Sequence, residues 1–442
     1  MFQHVVNSRP EINKPLSAKY VKSFAYPTFK KRLPDILQGI IEDLKNKEEF
    51  ESKYGEKAVK ELDAVIEKIT SLKSGMENDQ PLVEINANGS FSKHAAIYNK
   101  EIKQRQQENE GKPPTWFQTD WLFAECYNYF KLHDIFYTSS YLNEYDPFLR
   151  VKNDTLLASK GPVLQLSKCI VDNQAKCLFT SKERKDMFIF LLKCSLWGNK
   201  ADLSLSCGKP VAANEETFAE MNLMDRNILV NDLEEVYNLL NTNEEQIIDI
   251  VLDNAGYELF NDLCFADYLV KANFAKKVIF HGKLIPWFVS DATAIDFTSI
   301  FDILLNQLKS EHIVTLVQEW SKHLENDKWE FRAEPFWITP YDYSKMSTVD
   351  PEQYAQLAKH KLTIFKGDLN YRKLVGDIYW EPTTSFKTAL RGFEPTNVLS
   401  LRTVKADTIA GLKEGVFEEL TDKDPSWLIT GEYALIQLLK KK

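Results

Sequence analysis

The sequence predicts an α/β protein: a mostly parallel sheet flanked by helices, with a mostly helical N-terminal region before it. Three observations carry this. Short runs rich in Ile, Val, Leu and Phe occur at 247–252, 277–281, 362–366 and 398–401, and such runs suit buried strands. After the first, Leu259, Leu263, Ala266, Leu269 and Val270 recur at helical spacing. That alternation from about residue 217 onward is the mark of strands joined by crossover helices. The first half, by contrast, is helical by pattern.

The elements follow in order. Phe29, Leu33, Ile36, Leu37, Ile40, Ile41 and Leu44 form one amphipathic stripe. Val59, Leu62, Val65, Ile66 and Ile69 form another. Residues 99–114 are charged and amide-rich and read as a solvated helix plus a loop. Residues 116–136 are dense in aromatics (Trp121, Phe123, Tyr127, Tyr129, Phe130), a pattern of core rather than site. Two more helices are expected near 156–173 and 183–196. Gly198 and Asn199 fit a C-cap for the second, and Asp202 and Ser204 suit a cap beyond it. Residues 205–216 read as a surface loop. The chain is therefore divided into a mostly helical N-terminal subdomain, 1–205, and an α/β domain, 206–442. Thr293 is the expected start of a helix with Ile295, Phe297, Ile300, Phe301 and Leu304 on its buried side, and the last strand is expected at 433–438.

Composition narrows the function. With 44% apolar and 27% charged residues the chain has an ordinary globular balance. The net charge is −9, and the basic tracts are Lys30-Lys31-Arg32 and Lys440-Lys441-Lys442. Nucleic acid is not an expected partner, because phosphate neutralisation needs clustered cations. The apolar runs are too short to span a bilayer, and the first residues lack the pattern of a secretory signal. Six cysteines show no C-x-x-C spacing and read as reduced thiols of a cytoplasmic or nuclear protein. The seven histidines show no H-x-x-x-H, which argues against a zinc hydrolase.

The strand ends carry the chemistry. The first run ends in Asp253-Asn254-Ala255-Gly256, the second leads through Pro286, Trp287 and Ser290 to Asp291, the third ends in Gly367-Asp368-Leu369-Asn370-Tyr371-Arg372, and the fourth in Arg402-Thr403-Val404-Lys405. In open α/β sheets ligands bind at the carboxyl ends of strands. If the four strands are parallel, Asp253, Asn254, Asp291, Asp368, Asn370, Arg372, Arg402 and Lys405 converge. Oxygen donors suit a hard divalent cation, and Lys and Arg suit an anion that shares it. Phosphate is the candidate anion, with backbone N–H groups of the Gly256 and Gly367 turns as further donors. Asp and Asn are also good N-caps, so a row of capped helices is the competing explanation. Attack by a metal-activated water is preferred over a covalent Asp253 phosphoenzyme, since the second acid usual two residues on is here Ala255.

These segments resemble the metal-dependent damage-control phosphatase family, in the branch with the R-T-x-K signature. The matching stretches are 253–258, 285–291, 365–374 and Arg402-Thr403-Val404-Lys405, with Ser195-Leu196-Trp197-Gly198-Asn199 and Phe24-Ala25-Tyr26. The resemblance implies a Rossmann-like domain and a divalent metal (Mn²⁺, Co²⁺, Ni²⁺ or Mg²⁺) on Asp253, Asn254 and Asp291. It implies substrate contacts from Asp253, Asn254, Asp368, Leu369, Asn370, Tyr371, Arg372 and Lys405, with Lys405 also catalytic. It implies small-molecule sugar phosphates as substrates, fructose 1-phosphate and fructose 6-phosphate among them. The alternative in this branch is methyl transfer from S-adenosylmethionine to protein glutamates, with Glu258 and Asp291 at the cofactor. Ala255, Phe130, Val375 and Ile378 depart from the family's usual residues and bear on substrate preference. A cationic methyl donor gains nothing from a metal site flanked by Lys405 and Arg402, and the turn at 253–258 lacks the glycines of a nucleotide-approach loop. The phosphatase reading therefore leads.

Overall fold

The computed structural model describes residues 5–86, 89–179, 181–198, 224–242 and 244–441, with only the backbone of 174–179. Its centre is a seven-stranded sheet in the order β1-β7-β6-β5-β2-β3-β4. The strands are β1 (Ile228–Asn231), β2 (Ile247–Val251), β3 (Lys277–His281), β4 (Trp329–Arg332), β5 (Leu362–Lys366), β6 (Asn397–Thr403) and β7 (Ala434–Leu439). From β6 to β4 every neighbour pair is parallel. β7 runs antiparallel to β6, and β1 follows β7. The carboxyl ends of β2, β3, β5 and β6 therefore share one rim, as the strand-end pattern requires.

Alternation along the strands gives the sheet two apolar faces. Ile248, Ile250 and Leu252 face the helices Leu149–Ala158, Lys160–Phe179, Ser181–Trp197 and Tyr257–Lys271, where Leu156, Phe188, Leu196 and Phe260 belong to the same core. Val251, Phe365 and Val398 face a second cluster built on Trp337, Tyr343 and Phe393. The helices from 149 to 197 thus complete the sheet's own core. The proposed division at 205/206 lies outside the described residues, as do Asn199, Asp202, Ser204 and the 205–216 loop.

The remaining N-terminal helices form a third cluster. It runs from Leu16 to Phe148 and includes Ile285, Trp287, Leu369 and Ala406 from turns beyond the strands. The helical layer is thereby seated on the carboxyl rim. Its first stripe opens in a π-helix, Thr28–Arg32, that runs into Leu33–Leu44. Ile295, expected on the buried side of its helix, Ala294–Asn306, is instead exposed in the first turn after Thr293. The aromatic stretch is the helix Trp121–Tyr137, buried along nearly its whole length. β1 and β4 escaped the sequence reading because each is four residues long, and β4 (Trp-Glu-Phe-Arg) is half charged. No described helix is long and apolar enough to cross a membrane.

Candidate active site

β2 stops at Val251 and the next helix starts at Tyr257, with Gly256 as its N-cap at φ 72°. Asp253 is therefore not a cap. The turn is instead zipped to the segment after β3. Ala292 N donates to Asp253 O (2.8 Å), Ala255 N donates to Ser290 O (2.7 Å), and Asn254 faces Asp291 in an antiparallel bridge. Two acids 38 positions apart in the numbering are brought together by backbone hydrogen bonds. The second segment is strained: Phe288 and Val289 sit at φ 44° and 71°, where a β-branched side chain is a true outlier.

The acids are buried and close. Burial pushes the Asp253 carboxyl well above its usual range, and the charges of Glu258 and Asp291 push it further. Burial also raises Asp291, against the opposing pull of Lys283. Lys283 Nζ lies 3.0 Å from Asp291 Oδ2 and donates to Leu252 O at 3.1 Å. Asn254 Nδ2 donates to Asp253 Oδ2 (2.8 Å) and Glu258 Oε2 (2.7 Å), while its Oδ1 accepts from Ser290 Oγ (2.5 Å). Behind them, Lys366 Nζ donates to Glu258 (3.1 Å), Asp262 (2.7 Å) and the Ser195 carbonyl (2.7 Å). Burial lifts the Asp262 carboxyl to about 6, with Lys366 pulling the other way. A Cβ on Gly198 would come within 3.2 Å of Glu258 Cα, so the Ser195–Gly198 motif is a buttress for this turn.

The β5 turn closes on the same acids. Gly367 sits at φ 78°, and a Cβ there would lie 1.9 Å from Asp253 Oδ2. Only glycine permits that approach. Asp368 Oδ1 accepts from Arg402 Nε (2.7 Å) and from Lys405 N (3.1 Å), which joins the ends of β5 and β6.

Asp253, Asn254, Glu258, Asp291, Asp368, Leu369, Arg372 and Lys405 line one cavity of about 330 Å³. Asn370 and Tyr371, expected to contact substrate, do not line it. Residues 367–375 form a helix. At about 100° per residue, 368, 369 and 372 share a face while 370 and 371 turn back into the fold. Asn370 donates to the carbonyls of Val251, Leu252 and Lys366 and accepts from Tyr343. Tyr371 is buried against Phe386 and beneath Arg402. Arg402 is not on the cavity either: its guanidinium is spent on Asp368, Thr408 O and Ala406 O. Arg372 reaches the cavity but is already neutralised by Asp377 and Glu125, 3.6 Å over the Trp121 ring. Lys405 forms no ion pair among the described residues. It is the cation left for an anion on this rim.

Sequence reasoning missed Lys283, Lys152, Glu125 and Arg32. Lys152 lines the cavity and is bound at 2.7 Å to both Asp146 and Asp296. Glu125 was visible as an acid inside an apolar helix. Lys283 was visible as a lysine set in an apolar loop. Arg32 was read only as part of a basic tract.

A divalent cation fits these donors. No group of three His, Cys, Asp or Glu among the described residues could hold one unaided. Two buried carboxylates with an amide oxygen, completed by water and substrate oxygens, are a normal shell for a hard cation. The like-charge repulsion of Glu258 and Asp291 on the buried Asp253 carboxylate is what such an ion would relieve.

Paired acids for a cation beside a free lysine for an anion, at the carboxyl rim of a parallel sheet, define a metal-dependent phosphatase. Residues 28–420 match the damage-control phosphatase ARMT1-like domain, and the chain belongs to that family. The damage-control phosphatase ARMT1 of Rattus norvegicus is 36% identical over 434 residues, covering 96% of this chain and 97% of its own. That of Bos taurus is 37% identical over 443 residues, with 96% and 97% covered. The crystal structure of a DUF89 family protein from Pyrococcus horikoshii is similar at 14% identity and a TM-score of 0.39, over 79% of this chain and 91% of that one. This chain is thus a damage-control phosphatase that depends on a divalent metal and acts on a small-molecule phosphate.

Proposed function

We propose that the substrates are sugar phosphates, fructose 1-phosphate and fructose 6-phosphate among them, and that Asp253, Asn254 and Asp291 hold Mn²⁺, Co²⁺, Ni²⁺ or Mg²⁺. The observation that carries the reading is the shared cavity: buried acids from the β2 and β3 turns and the uncommitted Lys405 border a single space of about 330 Å³. That is the size of a small-ligand site.

A bound cation supplies positive charge to the phosphoryl oxygens and a nucleophile at neutral pH. The chain's own groups do the rest. Lys283 holds Asp291 in place and favours its charged form against the burial that opposes it. Lys405 neutralises the phosphate, and the first-turn N–H groups of the Gly367–Val375 helix add donors. Asp368 fixes the Lys405 backbone, so the cation and anion sites keep their spacing. Removing phosphate from reactive sugars would limit glycation. A cytoplasmic or nuclear setting is supported by the buried free thiols of Cys126 and Cys264. Methyl transfer draws less support from the site, because Glu258 is already engaged by Lys366 and Asn254.

The test is phosphate release from a panel of sugar phosphates by chelated protein reloaded with each of the four metals. Metal-dependent release from the fructose phosphates is expected. Release from no sugar phosphate with any of these metals overturns the reading.

A further inference from the structure

Glu258 is the acid whose place in the cavity is hardest to account for. It is buried, it lines the cavity, and its charge works against the ionisation of Asp253. Yet both of its oxygens are spent. Oε1 accepts from Lys366 Nζ (3.1 Å) and Oε2 from Asn254 Nδ2 (2.7 Å). An acid so engaged acts through its partners rather than on a ligand of its own.

Lys366 is the fixed end. An ammonium has three N–H donors, and here they go to Glu258, to Asp262 Oδ1 (2.7 Å) and to the Ser195 carbonyl (2.7 Å). Ser195 Oγ also donates to Asp262 Oδ1 (2.5 Å). Gly198 leaves no room for a Cβ between Asn261 Nδ2 and the Glu258 backbone, each of which it would meet at 3.2 Å. Lys366, Asp262 and the segment from Ser195 to Gly198 thus hold Glu258 from behind.

Asn254 is the end that faces the acids of the metal site. An amide has a productive and an unproductive orientation toward a cation: its oxygen attracts one and its NH₂ repels one. Nδ2 donates to Asp253 Oδ2 (2.8 Å) and to Glu258 Oε2 (2.7 Å), which uses both of its N–H groups. Oδ1, at the opposite end, accepts from Ser290 Oγ (2.5 Å). A carboxylate only accepts, so the NH₂ must face Glu258 and the oxygen must face away from it.

We propose that Glu258 is a positioning residue for the metal: anchored by Lys366, it fixes the Asn254 amide so that oxygen, not nitrogen, is the atom offered to the cation. The inference rests on the metal reading of Asp253, Asn254 and Asp291. It adds the residue that decides which atom of Asn254 binds.

The test is Glu258→Gln in the full chain, titrated with Mn²⁺ by calorimetry in the absence of substrate. The change keeps the side chain's shape, and Lys366 keeps Asp262 as its ion-pair partner, so the packing and the buried lysine are both retained. Lys366 only donates, so the introduced amide gives it the oxygen and turns its own NH₂ on Asn254. Donor then meets donor, and the Asn254 amide is driven to invert. The Mn²⁺ dissociation constant is expected to rise roughly 10- to 100-fold, as for other groups that orient a metal ligand. In an Asn254→Ala background the same change is expected to move the constant by no more than about threefold, because the group it acts through is gone. An unchanged constant in Glu258→Gln, or an equal rise with and without the Asn254 amide, overturns the proposal; the second result would mean that Glu258 acts on the cation by its own charge. A wild-type protein that binds Mn²⁺ beside an unaffected Glu258→Gln sinks this inference alone. A wild-type protein that binds no Mn²⁺ sinks the metal assignment and the inference with it.

Discussion

Asp253 and Asp291 are costly residues to bury, and their cost identifies their work. Neither is a cap, and the like charges around Asp253 work against its ionisation until a cation is supplied. Asp253→Ala and Asp291→Ala are each expected to lower metal-dependent phosphate release by ~10³-fold; full activity in either variant refutes the metal assignment. Lys405→Ala is expected to act through phosphate binding, with KM rising by about tenfold or more, read from initial rates. Lys283→Met leaves Asp291 buried without its ion pair. Breaking such a pair costs ~3–5 kcal/mol, so Tm should fall in the apo protein, and added metal should recover part of the loss. At this scale the acids and Lys405 were legible, because each stands in the segment that follows an apolar strand run. Lys283 and Glu125 were not, because a single charge in an apolar segment looks the same in a sequence whether it is paired inside or turned to solvent.

At the scale of elements, the decisive fact is helical periodicity. The run Asp368-Leu369-Asn370-Tyr371-Arg372 looked like one binding loop, yet it folds as the start of a helix, and only part of it faces the cavity. Asn370 and Tyr371 became struts that tie this helix to β2 and to the 404–410 segment. The β5 turn itself depends on Gly367. Gly367→Ala would force a Cβ to within 1.9 Å of Asp253 Oδ2 at φ 78°, so the carboxylate or the turn must shift. Activity is expected to fall by ~10²-fold while far-UV circular dichroism stays native; wild-type turnover would contradict the close approach. β6 runs to Thr403, two residues beyond the apolar core seen in the sequence. That extension draws Arg402 into the interior and leaves Lys405, past the strand end, at the cavity.

Across the whole molecule, a buried polar network joins β2 and β3 to the segments that follow β4 and precede β5. Asp249 on β2 accepts from His281 on β3 (2.8 Å) and from His360 before β5 (2.7 Å). His281 also meets Glu334, after β4, at 3.0 Å. Arg332 adds charge nearby. Burial alone would lower the His281 value, but its bonds to Asp249 and Glu334 outweigh that and raise it to about 9. Burial alone would raise Asp249, and its histidine partners instead hold it low. The sign follows from linkage. A histidine whose folded value lies above its unfolded one stabilises fully below the ordinary value, and loses that stabilisation as pH rises through about 9. Tm is therefore expected to decline between about pH 6.5 and 9.5, and His281→Gln should flatten that decline while lowering Tm near neutrality. A wild-type Tm that does not change across that range would contradict it.

What the sequence determined by itself was local: strand runs by side-chain shape, helices by period, and the acids, glycines and lysine at the strand ends. Those features need only a few neighbouring residues to be read, and they sufficed for the fold class and for most of the cavity's sheet side. The tertiary structure alone decided which of those groups are spent internally and which are left for a ligand. Arg372 and Arg402 find partners, Lys405 and Arg32 do not, and the aromatic helix brings Trp121 and Glu125 to a cavity whose acids lie more than a hundred residues away in the chain. Pairing and burial depend on distances between segments remote in sequence, and only the packed molecule sets those distances.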